Sequence, residues 1–239
     1  IKDEVTISLW TYGDSDIQPQ NNYTFEGLGS DGKRNLNSHL PWSNGQVYWD
    51  AGGEGGAYDR INKAANATDY KGKWNHWVFT KNAVTGNMKI YLNGTTWHSG
   101  SGKSKKITDL STFVIGARGS GPGNGNGCFD GYIDNFSIWN KELPLSEIQD
   151  IMNNGVNAAQ GSNANLLYHF NFDETTGYET YDKNNNSIIA LLLGTPKRVK
   201  SSALELYNKF SEVNYRPLLN LQQGVVINNF KTITYYDTL

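Results

Sequence analysis

The chain has 239 residues, 37% of them hydrophobic and 18% charged, with 26 glycines and 14 tyrosines, a balance too apolar for disorder and suited to many short strands joined by polar turns. A formal net charge of -2 supplies no basic field, so neither nucleic acid nor an anionic lipid surface is an expected partner. No apolar run approaches the ~18 residues that a membrane-spanning helix needs, so membrane insertion is not expected. The first element is Val5 to Trp10, where Val5, Ile7 and Leu9 alternate with Thr6 and Ser8 and should share the core face of a strand. Short strands are then expected at Tyr23–Phe25, Asn35–Leu40 and Gln46–Trp49, the last two separated by the turn-rich Pro41-Trp42-Ser43-Asn44-Gly45.

Trp74–Lys81 and Met88–Leu92 alternate well around a hairpin loop at residues 83–87, and Asn93-Gly94 is the strongest short signal for a type I′ turn, with Thr95–His98 returning. Phe113–Ala117 and Phe129–Trp139 are strand-like, and the glycine-rich run Gly119–Gly127 between them must be an exposed loop. One short helix is expected after the last long strand, with Ser146 as its N-cap, Gln149 three places on, Ile148 and Ile151 on its apolar face and Gly155 as its stop. Leu166–Phe172 alternates again and returns to the sheet. From residue 211 the pattern changes to apolar clusters without obvious partners, which divides the chain into a jelly-roll domain over 1–210 and, over 211–239, a linker with the start of a second, truncated β-domain. A single cysteine, Cys128, excludes an internal disulfide, so stability must come from packing and from a bound ion, if one is held.

The order of these pieces resembles the laminin-G-like, concanavalin A-like lectin/glucanase superfamily, in particular its bacterial jelly-roll members. The resemblance covers about Val5 to Phe172. It rests on Thr6-Ile7-Ser8-Leu9-Trp10, Trp74-Asn75-His76-Trp77-Val78-Phe79, Ile90-Tyr91-Leu92-Asn93-Gly94, Val114-Ile115-Gly116 and Gly131-Tyr132-Ile133-Asp134 running into Phe136-Ser137-Ile138-Trp139. It implies an all-β, two-sheet antiparallel jelly-roll sandwich. A glucanase of this fold would carry Glu-x-Asp-x-x-Glu on one strand, because period two aims alternate carboxylates into one cleft. That spacing is absent from the chain, which leans the reading away from an enzyme. His39, His76 and His169 read as strand residues with satisfied hydrogen bonds.

Asp134 is read on one strand face with Tyr132, Phe136 and Ile138, where an unpaired carboxylate would cost several kcal/mol. Its partner is either a backbone N–H or an arginine such as Arg118, or else Ca2+, which the resemblance implies near the sheet rim with Asp130, Glu26 and Asp50 as co-ligands. The other candidate site is aromatic: Trp42 lies in a turn, and Tyr48, Trp49 and Tyr58 flank the loop Gly52–Gly56. Sugar rings stack on such side chains while Asn, Asp and Arg bind their hydroxyls; alternatively, Trp42 and Trp49 only cover the sheet edge. The expected function is a non-catalytic carbohydrate-binding or adhesion module of an exported, bacterial, multidomain protein, extracellular or at the cell surface, with a glycan or glycoprotein and neighbouring domains as partners. Two other roles stay open, an accessory domain of a glycan- or glycoprotein-degrading hydrolase whose catalytic domain lies outside this chain, and a structural spacer.

Overall fold

The structure, a computed structural model, describes residues 1–53, 57–119, 127–156, 163–192, 197–201, 216–220 and 225–228. In chain order its strands are β1 (Glu4–Gly13), β2 (Phe25–Leu28), β3 (Arg34–His39), β4 (Gln46–Ala51), β5 (Asp59–Ala64), β6 (Trp74–Asn82), β7 (Asn87–Leu92), β8 (Thr95–Gly100), β9 (Thr112–Ile115), β10 (Gly131–Trp139), β11 (Leu166–Phe170), β12 (Glu179–Tyr181), β13 (Ile189–Leu192), β14 (Lys197–Ser201), β15 (Arg216–Asn220) and β16 (Val225–Asn228). The helices among the described residues are α1 (Ala67–Tyr70) and α2 (Leu145–Asn154), with one 3-10 turn at Asn163–Asn165. The strands form two antiparallel sheets. The first runs β14-β15-β10-β1-β6-β7-β8 with β11 also on β10, and the second runs β12-β13-β16-β9-β2-β3-β4-β5. This is the expected jelly-roll sandwich.

The core lies between the sheets because period two sends alternate side chains inward. Val5, Ile7 and Leu9 from β1, Trp77 and Phe79 from β6, and Phe136 and Ile138 from β10 meet Phe25, Leu36, Val47, Trp49 and Phe113 from the second sheet, all fully buried. Phe25 lies 5.5 Å from Phe79 and 5.9 Å from Trp49 between ring centroids, and the Trp49 indole N–H donates across the sandwich to the Thr80 carbonyl at 3.0 Å. Each sheet is thereby keyed to the other by aromatic edge-to-face contacts. The buried Lys81 closes one end, its Nζ donating to Asp59 and to the Lys103 carbonyl, both at 2.8 Å.

The hairpins follow local chemistry. Asn93 and Gly94 have φ of 48° and 71°, the two positive values that a type I′ turn requires. Helix α2 covers the outer face of the first sheet, burying Ile148 and Ile151 against Val78, Tyr91 and Trp139. Its N-cap is Pro144 without a side-chain cap, so Ser146 falls inside the first turn instead of capping it. The Pro144 carbonyl already receives both the Glu147 and Ile148 N–H groups at 3.1 Å. Gly155 ends the helix as expected, with φ 77°. Residues 216–220 and 225–228 join the two sheets: Tyr132 and Ile133 of β10 pair with Asn220 and Leu219, and Phe113–Ile115 of β9 pair with Val225–Ile227. Most of the glycine-rich run Gly119–Gly127, and residues 54–56, lie outside the described residues.

Candidate functional site

The outer face of the second sheet carries a groove of 280 Å³ lined by Tyr23, Arg34, His39, Trp42, Asn44, Tyr48 and Arg60. Its floor is built by register. Tyr48 and Asp50 alternate outward on β4 while Val47, Trp49 and Ala51 point into the core, and Asp50 stands directly opposite Arg60 of β5. The Arg60 Nε and Nη2 donate to the two carboxylate oxygens at 2.6 and 2.7 Å, a two-point pair that fixes the guanidinium plane.

Arg34 reaches the same face through an irregularity. Glu26 pairs with Asn37 and Gly27 with Leu36, but Leu28 pairs with Arg34, so Asn35 is an extra residue on β3. Such a bulge reverses the side-chain parity. Arg34 consequently points outward beside Glu26 and not into the core beside Leu36. Its Nε donates to Glu26 at 2.9 Å, Nη1 to Asp50 at 3.2 Å and Nη2 to the Tyr23 hydroxyl at 3.2 Å. Burial pulls the Arg34 guanidinium down, but the Glu26 charge and hydrogen bond, together with Tyr23 and Asp50, outweigh it and hold it above its ordinary value. For Arg60 the Asp50 hydrogen bonds dominate, with the same upward direction.

Aromatic rings enclose both guanidiniums. Arg34 lies 5.3 Å from the centroid of Tyr23 and 5.6 Å from that of Tyr58, and Arg60 lies 4.7 Å from Tyr48 and 5.1 Å from Tyr58, all within cation–π range. His39 forms the back of the groove, 4.4 Å from Trp42 and 4.8 Å from Tyr23. Burial, opposed by the hydrogen bond to the Asn22 carbonyl and reinforced by the Arg34 and Arg60 charges, pulls its pKa down to about 3. The ring is therefore neutral near pH 7. Its Nδ1 faces the Asn22 carbonyl and its Nε2 the Asn37 amide, which assigns the proton to Nδ1. Trp42 is held at the groove edge by a tight turn, its N–H bonded to the Gln46 carbonyl at 2.9 Å and its carbonyl to the Gly45 N–H at 2.8 Å.

Of the aromatic residues singled out in the sequence, Trp42 and Tyr48 line the groove together, and Tyr58 braces Arg34 and Arg60 beside it. Trp49 does not reach it: one residue out of phase with Tyr48, it is fully buried between the sheets. Tyr23, Arg34, Asn44 and Arg60 complete the site. Sequence reading passed over them, and only the polar alternation Asp59-Arg60-Ile61-Asn62-Lys63 hinted at the strand that carries Arg60.

The four carboxylates expected around calcium do not meet. Glu26 and Asp50 share the second sheet's outer face, where both are taken up by arginine. Asp134 belongs to the other sheet, paired with Trp10, and accepts the Asn135 N–H at 2.9 Å, one of the partners anticipated for it. It does not share a face with Phe136 and Ile138, because Asn135, with φ 50°, lies within the register shift of β10. Asp130 precedes β10, where burial and then the nearby Asp14 carboxylate push its pKa up. Among the described residues no three His, Cys, Asp or Glu side chains gather to hold a metal, and Glu26 and Asp50, neutralised by arginine, do not fit a calcium ligand set.

A larger depression of 510 Å³ on the first sheet is lined by Lys89, Tyr91, Thr96, Ser99, Glu142, Leu143, Pro144 and Leu145. Its one aromatic side chain, Tyr91, is 3% exposed, and Lys89 is bridged to Glu142 at 2.9 Å. It offers no ring face to a ligand. The smaller groove is the better candidate.

These features define a two-sheet β-sandwich with an aromatic, arginine-braced groove on one open sheet face. A family model described as the concanavalin A-like lectin/glucanases superfamily matches residues 2–149, and the chain belongs to that superfamily. No curated protein sequence matches the chain. Among solved structures, it is similar to a protein from Bacteroides ovatus described as carbohydrate binding, with 17% identity, a TM-score of 0.53, and coverage of 78% of this chain and 50% of that one. This chain thus spans half the length of that protein. A SAP-like pentraxin from Limulus polyphemus matches at 17% identity and a TM-score of 0.48 over 63% of this chain and 70% of that one. Domain 4 of an extracellular GH43 arabinanase from Geobacillus stearothermophilus matches at 20% identity and a TM-score of 0.44 over 63% and 66% of the two chains.

Proposed function

We propose that the chain is a non-catalytic carbohydrate-binding module of an exported, bacterial, multidomain protein, acting outside the cell or at its surface on a glycan or glycoprotein. The observation that carries this reading is the groove: Trp42 and Tyr48 line it together with Arg34 and Arg60, whose guanidiniums are held in fixed ion pairs, the combination of aromatic surface and fixed donors that a sugar ring uses. Superfamily membership is compatible with it, although fold alone does not dictate function. The description of the Bacteroides ovatus protein points the same way, its likeness to this chain being one of fold.

A glycan-array screen followed by calorimetry of the strongest hits tests the proposal. Trp42→Ala and Tyr48→Ala should each weaken binding by about tenfold or more, the size of effect expected when a central aromatic contact is removed. An array without hits, or hits whose affinity neither substitution alters, would leave the groove without a glycan role and favour a spacer.

A further inference from the structure

We propose that this groove selects uncharged sugars and discriminates against acidic ones, its two arginines serving as hydrogen-bond donors and ring supports and not as an anion receptor. The inference rests on the reading of the groove as a glycan site. It starts from charge. The guanidiniums of Arg34 and Arg60 are matched by two carboxylates, Glu26 and Asp50, inside one connected network. Asp50 has no exposed side-chain surface and Glu26 has 5%, so neither carboxylate can swing away to admit a competitor. A ligand carboxylate at these arginines would bring a third negative charge to two positive ones, and it would have to give up its own hydration to do so.

Hydrogen-bond geometry points the same way. A guanidinium has five N–H groups, and its strength toward carboxylate or sulfate comes from presenting two of them in parallel. Arg60 gives Nε and Nη2 to Asp50 and Nη2 again to the Tyr58 hydroxyl at 3.1 Å. What remains sits on Nη1 alone. Arg34 gives one bond from each nitrogen, to Glu26, Asp50 and Tyr23, and its side chain is 19% exposed. Arg34 thus keeps one N–H on each terminal nitrogen but is the less exposed of the two, and Arg60, the more exposed cation, has no open fork.

The phenols extend this pattern. The hydroxyls of Tyr23, Tyr48 and Tyr58 each accept a bond, from Arg34, Asn44 and Arg60 respectively, which leaves each O–H hydrogen to donate outward. Scattered single donors between ring faces suit hydroxyl, ring and acetamido oxygens of a neutral sugar. His39 adds no charge, both its nitrogens being engaged.

The test is calorimetric titration with matched pairs: N-acetyllactosamine against its sialylated form, and galacto-oligosaccharides against oligogalacturonates. The neutral member should bind about tenfold tighter, with an affinity that changes less than about twofold between low and high salt, since no net charge is screened. Glu26→Gln leaves two arginines sharing the single carboxylate of Asp50 and should narrow the gap by about fivefold, the scale of one partly exposed ion pair. Asp50→Asn should shift preference in the same direction, and circular dichroism checks that both variants are folded. The salt series on the unaltered protein needs no variant at all. Tighter or equal binding of the acidic member, or a steep fall of affinity with salt, overturns the inference while leaving the glycan site standing. Binding of no member of any pair, with an empty array, overturns the site itself.

Discussion

Replacing Asp50 by Asn isolates the ion pairing under the groove, because the side chain keeps its volume and loses its charge. Asp50 has no exposed surface and takes three hydrogen bonds, from Arg60 at 2.6 and 2.7 Å and from Arg34 at 3.2 Å. Removing one partner of a fully buried pair costs about 3–5 kcal/mol. Here the Arg60 side chain is 37% exposed and can turn to water, while Arg34 keeps Glu26, so the expected loss is about 2 kcal/mol. Asp31 is the internal control. Its pair with Lys33 is 3.4 Å long with side chains 49% and 62% exposed, and Asp31→Asn should cost no more than about 0.5 kcal/mol. Urea denaturation of the two variants against the parent chain, compared at a common slope, measures the difference. Equal losses for the two substitutions would refute the view that Asp50 locks the groove.

Other expectations follow from burial and titration. Trp49→Ala removes a fully buried indole and its bond to the Thr80 carbonyl and should cost about 3–5 kcal/mol in the same urea assay, several times the loss at the groove-edge Trp42. Both His39 and His76 are held at a pKa of about 3 by burial in the first place, against about 6.5 in the unfolded chain. The unfolded state therefore binds protons first: stability is full above about pH 6.5 and falls as pH drops toward 3, by up to about 1.4 kcal/mol per pH unit for each histidine. Urea midpoints at pH 7.5 and 5.5 should show the drop, and His39→Gln should reduce it; a flat profile contradicts the burial of the two rings. Because Glu26 and Asp50 are held by arginine, adding a chelator should leave the affinity of the groove for a glycan unchanged in calorimetry, and a clear loss would place a metal in the site.

Legibility in the sequence followed how local the determining signal was. The hairpin around Asn93-Gly94 was readable because two adjacent residues set both positive φ values, and β1, β6 and β10 because long alternation marks strands that bury one face in the core. Strand β5 was missed since Ile61 alone of its side chains joins the core cluster, leaving an edge strand of mostly polar residues with little periodic signal. Two bulges hid the rest. The extra residue at Asn35 turns Arg34 outward, and the irregularity at Asn135 separates Asp134 from Phe136. A strict two-residue period misplaces both. Trp49 was the avoidable case, since Val47, Trp49 and Ala51 already alternate against Tyr48 and Asp50 in the sequence.

The most direct test of the groove is an NMR titration of the labelled protein with the strongest neutral glycan from the array. Shifts concentrated at Tyr23, Trp42, Asn44 and Tyr48, with the Trp42 indole N–H among the largest, are the predicted result. Shifts centred instead on Lys89, Tyr91 and Glu142 across the other sheet would contradict the assignment of the site.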